Sequence, residues 1–285
     1  YMNQIRKTIK QIIKPPFQIF FYPYTYLFVF IFSEFKIYNL IYKDLYNNNK
    51  KKHFIFNKYL VDLNYYSLPN FLKKKLISSS MANPIEGVLQ AEYYRSLGFP
   101  DKNFKKNSAF SYLQKYIETN KDKKIHIHQV GASSGREMNY FSNFSDYIIF
   151  EVSDISEEIS INIKNNYQKL NCYCVDISNS YQLSKVAKRC NLIVAFGSLQ
   201  YLLPKDLENF FRICKKENTE IIMSQPFDSK ISPFPLIKSV PRGSFSWSHP
   251  YLNLAKKNKF TVKEFSINFL PDAPWSQTIT AHFTN

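Results

Sequence analysis

The chain has 285 residues, 45% of them apolar and 17% aromatic, and carries 38 Lys and Arg against 22 Asp and Glu for a formal charge of +16. That length holds one substantial domain plus an accessory region. The four cysteines, Cys172, Cys174, Cys190 and Cys214, form no C-x-x-C pair and lie near no histidines at zinc-finger spacing, which excludes a zinc module and a disulfide framework and fits a reducing cytoplasm. Residues 1–77 hold 13 Lys and Arg against Glu34, Asp44 and Asp62, a net +10, and leave +6 for the remainder. A basic, aromatic region suits nucleic acid or an anionic membrane surface. The competing explanation is coding bias, since an AT-rich genome raises Lys, Asn, Ile, Phe and Tyr together.

Along the chain, apolar residues at 5, 9, 12 and 13 mark one face of a basic amphipathic helix over 3–14, which Pro15-Pro16 is expected to stop. The aromatic run Phe17 to Phe32, broken by Pro23, falls short of the roughly 20 apolar residues a spanning helix needs. It reads as an interfacial or buried segment and lacks the small-residue cleavage site of a secretory signal. Lys- and Tyr-rich sequence follows to 77, with the runs Lys50–Lys52 and Lys73–Lys75 as solvated faces, and 78–107 reads as a linker and pre-domain helix.

From 108 onward short apolar runs alternate with helix-period stretches, the pattern of a mostly parallel sheet covered by helices on both faces. Helices are predicted over Ser108–Asn120, Ser134–Ser142, Ser156–Leu170, Tyr181–Arg189, Lys205–Lys216 and Pro250–Lys257. Strands are predicted over Lys124–Val130, Tyr147–Val152, Cys172–Ile177, Leu192–Phe196 and Glu220–Ser224, with Cys172 and Cys174 buried in the third. After a proline-broken loop, Asp228–Ser246, strands Phe260–Phe269 and Ser276–Phe283 follow with no helix between them, so they should pair as an antiparallel hairpin.

Polar residues and glycines gather where the strands end. Gly131, Ala132, Ser133 and Gly135 follow the first strand, and glycine there permits a close backbone approach to a ligand. The two glycines stand four apart, which disfavours the G-x-G-x-x-G dinucleotide fingerprint, and alone they could be a tight turn. Glu151 and Asp154 at the second strand are equal candidates for a carboxylate that binds ribose hydroxyls, although the stretch could instead be a loop in which Ser156 caps a helix over Glu157 and Glu158. Asp176 beside the apolar Ile177 suits an adenine, with helix capping as the alternative. Gly197, Ser198, Gln200 and Tyr201 follow the fourth strand in the crevice where open sheets bind ligands.

On these residues the stretch 108–285 resembles the class I S-adenosylmethionine-dependent methyltransferases. Gly131-x-Ser133-x-Gly135 matches the outer positions of the family's G-x-G-x-G, and Ser133 departs from it. The resemblance implies a Rossmann-like α-β-α sandwich with seven strands in the order 3-2-1-4-5-7-6, the last antiparallel, following a mainly helical N-terminal region. It implies S-adenosylmethionine as cofactor, its ribose on Glu151 or Asp154, its adenine on Asp176, and contacts from Gly197–Tyr201. The segments Phe196–Leu202 and Phe245–Tyr251 look more like sugar and surface-glycan O-methyltransferases than like nucleic-acid enzymes.

Methyl transfer to a hydroxyl needs a proton acceptor near the end of the fifth strand, for which His249 and Asp228 are the candidates. Ser248-His249-Pro250 also reads as a helix start, and His126 and His128 read as structural. No residue cluster suggests a metal, so a metal-independent reaction on a small-molecule or glycan acceptor is expected. The protein is expected in the cytoplasm, with the basic aromatic N-terminal region (1–77) either covering the substrate site as a lid or resting on the inner membrane face through residues 3–32. The alternatives are an RNA methyltransferase, for which no RNA-binding module is visible in 1–107, and a non-catalytic binding or scaffold protein built on the same fold.

Overall fold

In the computed structural model, residues 2–32, 63–81, 108–228, 237–243, 246–270 and 273–285 are described. The Lys50–Lys52 run, most of the 78–107 linker and residues 229–236 of the predicted loop lie outside them. The chain divides into two compact units, Tyr1–Asn83 with Gly243–Phe245, and Pro84–Arg242 with Ser246–Asn285.

In the first unit, α1 (Met2–Phe32) is one helix of 31 residues, followed by a 3-10 turn at Tyr65–Ser67 and α2 (Asn70–Met81). The helix therefore runs through Pro15-Pro16, where a stop was expected. An interior proline removes a donor and costs about 3 kcal/mol, so other interactions must offset it. Ring pairs four residues apart supply some, with centroids 4.5 Å apart for Phe17–Phe21 and 6.1 Å for Tyr24–Phe28. Burial of Val29 among Tyr65, Leu68, Leu72 and Leu76 supplies more, and Asn64 Nδ2 donates to Thr25 Oγ1 at 3.0 Å inside the same contact. Pro16 and Pro23 lie on exposed positions, where a carbonyl left without its helical partner can bond to water. Among the described residues no helix is long and apolar enough to cross a membrane.

The second unit is a Rossmann-like sandwich. Its helices are α3 (Ser108–Asn120), α4 (Arg136–Phe141), α5 (Glu157–Asn166), α6 (Ser180–Ala187), α7 (Pro204–Lys216) and α8 (Tyr251–Lys257). Its strands are β1 (Ile125–Val130), β2 (Ile148–Asp154), β3 (Asn171–Cys174), β4 (Leu192–Phe196), β5 (Glu220–Asp228), β6 (Val240–Gly243), β7 (Ser246–Ser248), β8 (Thr261–Leu270) and β9 (Ala273–Thr284). Seven of them form one sheet in the order β3-β2-β1-β4-β5-β9-β8, in which β1 to β5 pair in parallel and β9 runs antiparallel to both neighbours. This is the order expected of the hairpin-terminated sheet.

Alternation along the central strands feeds two cores. Ile127, Val152, Val194 and Ile222 pack with Leu113 of α3, Met138 of α4 and Ile163 of α5, while Val130, Ile193, Ala195 and Met223 pack with Leu183 of α6 and Phe210 and Phe211 of α7. Buried Leu207, Phe210, Phe211 and Cys214 recur at the period that gives α7 one apolar face.

Three departures from the expected boundaries bear on the sheet. β5 continues past Ser224 to Asp228, because beyond Ser224 it pairs only with β9; Pro226 therefore sits where one edge of the strand makes no demand for an N–H. The predicted loop 228–246 contains the two-stranded β6–β7 ribbon. β3 ends at Cys174, and as the edge strand of the sheet it leaves Cys174 exposed rather than buried, while Cys172 is buried.

Candidate functional site

The loop from β1 to α4 is wound in the left-handed region, with φ of 64° at Gly131, 50° at Ser133 and 71° at Gly135. A side chain on Gly131 would bring its Cβ to 2.4 Å from the Ser198 Cβ, and one on Gly135 to 3.0 Å from Ile163. Both glycines thus answer a positive φ and a close approach together. The Ser198 hydroxyl donates to the Val130 carbonyl at 2.9 Å, which ties the turn after β4 to the end of β1. Ala132 N–H donates to the Ser153 carbonyl at 2.9 Å, so the loop continues the β1–β2 ladder by one rung.

The two acids of β2 occupy different places. Asp154 is the last residue of the strand, and its carboxylate accepts the Ser133 amide at 3.0 Å and the Ser156 amide at 3.1 Å. Burial pushes its pKa up, against the opposing pull of the Ser133, Ser156 and Ile155 amides. Glu151 stands three residues back, opposite His128 on β1. Its carboxylate is enclosed by His128 Nδ1 at 3.2 Å, the Tyr173 hydroxyl at 3.1 Å and an Arg189 nitrogen at 3.4 Å. Burial opposes its ionisation, but the His128 hydrogen bond and the Arg189 charge outweigh it and hold the pKa below the ordinary value. His128 is itself pushed down by burial. The neutral ring donates from Nδ1 to Glu151 and accepts at Nε2 from Ser153 Oγ at 2.8 Å. Ser156 also caps α5 by accepting the Ile159 amide, so the capping reading and the acidic strand end hold together.

Beyond β3, Asp176 is half-buried; its Oδ1 accepts the Ser178 amide at 2.8 Å and its own N–H donates to Gln182 Oε1 at 2.8 Å. Asn179, not Asp176, caps α6. Ile177 packs on the core that includes Val130 and Leu199. After β4, Gly197 has φ of 73° and donates its N–H to the Ser224 carbonyl. Gln200 pins this turn, since its Nε2 donates to the Gly197 carbonyl at 2.8 Å while its Oε1 accepts from Arg242 Nη1 at 2.9 Å.

The strand ends therefore bring together Gly131–Gly135, Asp154, Asp176 and the Gly197–Gln200 turn, and leave Glu151 inside the sandwich. Asp228 is the terminal residue of β5, paired with Ser276 of β9. His249 is buried: Nε2 donates to the Leu202 carbonyl at 3.1 Å, so Nδ1 accepts from Ser239 Oγ at 2.8 Å. Burial drives its pKa down to about 3.

Gln225 and Arg242 escaped the sequence reading. Gln225 is fully buried, accepts the Gln200 amide at 3.3 Å and donates to the Ala195 carbonyl at 2.8 Å, bracing the post-β4 turn from β5. A lone amide inside the apolar run Ile221–Phe227 was the available signal for it. Arg242 carried no signal, since nothing in the sequence marks the ribbon that delivers it to Gln200.

No protein-family model matches the sequence, and no curated protein matches it. Solved structures do. Magnesium protoporphyrin IX methyltransferase from Synechocystis PCC 6803, with S-adenosylhomocysteine bound, aligns with a TM-score of 0.50 at 10% identity over 76% of this chain and 100% of its own. An S-adenosylmethionine-dependent methyltransferase from Clostridium acetobutylicum aligns with a TM-score of 0.49 at 15% identity, over 68% of this chain and 96% of its own. At such identities the likeness concerns the fold, and the second unit has the class I methyltransferase fold.

Proposed function

We propose that the protein is an S-adenosylmethionine-dependent methyltransferase, and that its acceptor is a hydroxyl of a sugar or surface-glycan precursor. The observation that carries the reading is the junction of Ser133 with Asp154, because it joins the glycine loop and a buried carboxylate at the carboxyl edge of a sheet with the methyltransferase strand order. The residues fit the cofactor. Three backbone amides occupy three of the roughly four acceptor sites of the Asp154 carboxylate, which leaves one for a ribose hydroxyl. Asp176, with Oδ1 taken by Ser178, has Oδ2 to offer an adenine amino group beside Ile177.

When bound, the cofactor supplies an electrophilic methyl on a sulfonium. The chain's own part is to position and to exclude water. Gly131 and Ser198 close the loop and the post-β4 turn on one another, and Gln200 with Gln225 keeps that turn rigid. Asp228, at the tip of β5, is the group proposed to take the acceptor proton. His249, with both ring nitrogens engaged, acts instead by positioning Leu202 and Ser239. The acceptor class rests on the resemblance of Phe196–Leu202 and Phe245–Tyr251 to glycan enzymes.

Calorimetric titration with S-adenosylhomocysteine tests the cofactor, and the expected result is saturable binding; no heat at saturating ligand overturns the reading. Transfer of labelled methyl from S-adenosylmethionine to glycan-precursor hydroxyls tests the acceptor, and labelling of RNA in their place would replace it.

A further inference from the structure

Among the described residues, helix α1 carries an apolar stripe that is left exposed. Ile19, Phe20, Tyr24, Leu27, Phe30 and Ile31 recur at the helical period and are 75%, 77%, 48%, 56%, 49% and 40% exposed. The opposite face is the one the unit uses: Thr25 and Val29 are buried, and Gln18 donates to the Leu63 carbonyl at 3.1 Å. Soluble proteins rarely leave so long an apolar surface to water.

The charge on the helix says what covers it. Residues 2–32 contain no Asp or Glu, whereas Arg6, Lys7, Lys10 and Lys14 all fall in the first half of the helix. Nucleic acid would use these cations and have no use for the isoleucines, leucine and phenylalanines. A second copy packed parallel on the stripe would bring the same four cations against themselves, and one packed antiparallel would leave them without counter-charges. An anionic bilayer surface takes both, because headgroups meet the cations and the acyl boundary takes the apolar face. The helix does not meet the requirements of a membrane span.

We propose that α1 lies in the plane of an anionic membrane surface, with the stripe from Ile19 to Ile31 turned into the acyl boundary and the face bearing Thr25 and Val29 holding the rest of the first unit. The proposal is independent of the methyl-transfer reading.

The full chain is floated with vesicles of phosphatidylcholine alone and of an equal mixture with phosphatidylglycerol. Flotation is expected only with the mixed vesicles. The pair Phe20→Ser and Leu27→Ser, both at exposed positions, should keep the wild-type melting curve while weakening partition by about tenfold or more. Lys7→Gln with Lys10→Gln should cost about fivefold per lysine on mixed vesicles. Wild type that fails to float, or a serine variant that floats like wild type, overturns the proposal. So does light scattering in which the serine variant converts a dimer to a monomer while no flotation is seen, since the stripe would then belong to a second copy.

Discussion

The Asp154 carboxylate accepts the Ser133 amide hydrogen at 3.0 Å, so the tip of β2 and the loop after β1 are fastened across the crevice between them. Glu151, on the same strand, is held instead by His128, Tyr173 and Arg189. The two acids should therefore separate on mutation. Asp154→Ala removes a charged acceptor worth about 1.5–3 kcal/mol and is expected to weaken S-adenosylhomocysteine binding about 10- to 100-fold by calorimetry. Glu151→Gln should leave the affinity within about twofold and lower the melting temperature, because it strips the charge that Arg189 and His128 face.

Acid should weaken cofactor binding earlier than an ordinary aspartate would. Burial raises the Asp154 pKa, so the carboxylate proposed to accept a ribose hydroxyl is lost at a pH above the usual value of about 4. For stability the sign is the reverse of a salt-bridged acid: the fold favours the protonated form, so Asp154's contribution declines as pH rises through its folded pKa. Titrations of S-adenosylhomocysteine at descending pH should show the affinity step in wild type and none in Asp154→Ala.

Two changes in the glycine loop should move in opposite directions. Gly131→Ala meets the Ser198 Cβ at 2.4 Å on top of a positive φ, and the overlap together with the strained backbone should cost about 2 kcal/mol or more, with loss of ligand binding. Ser133→Gly relieves a left-handed serine at φ 50° and should stabilise by up to about 1 kcal/mol. Urea unfolding of both variants reads the signs directly. A stabilised Gly131→Ala would mean the turn after β4 can withdraw from the loop.

The second unit was legible because its signals are periodic and local. Strands such as Leu192–Phe196 are short apolar runs, and two final strands without an intervening helix can only return as a hairpin. The failures came where tertiary contacts overrode a local rule. Pro15-Pro16 reads as a stop, but the ring pairs and the burial of Val29 hold α1 through it. The strand predicted to end at Ser224 runs on through Pro226, because β5 has lost one neighbour by then and needs no donor on that side. Within the site, Asp154 and Glu151 could not be ranked from sequence, since both are acids near a strand end and only the registry with His128 shows which one faces inward. Gln225 and Arg242 act through contacts 25 and 42 residues away from Gln200, a separation that no motif spans.

Two buried histidines should make the fold acid-sensitive. His249, with its pKa driven down to about 3, and His128, also lowered, stay neutral in the folded chain while the unfolded chain protonates them below about pH 6.5. Each therefore contributes stability that is complete above that pH and is lost progressively as pH falls toward the folded value, at a limiting slope of about 1.4 kcal/mol per pH unit. Denaturant midpoints measured from pH 7 to pH 5 should fall in wild type. His249→Gln, which can keep a donor for Leu202 and an acceptor for Ser239, should show a shallower fall. An unchanged slope would mean the ring protonates in place.

Tyr251 opens α8 with its ring edge-on to His249 at 5.5 Å, and it is fully buried in the core formed by Phe210, Phe211 and Ala255. Its hydroxyl has no hydrogen-bond partner among the described residues, and burial pushes its pKa far above the ordinary tyrosine value. A buried donor without a partner costs about 1–3 kcal/mol in desolvation, whereas the ring repays its burial through packing alone. Tyr251→Phe should therefore raise the unfolding free energy by about 1 kcal/mol, while Tyr251→Ala, which empties the same space, should lower it by about 3–5 kcal/mol. If Tyr251→Phe destabilises the protein, the hydroxyl has a partner in solution; if it instead lowers methyl transfer at unchanged stability, that partner is the acceptor, and Tyr251 joins the groups that touch substrate.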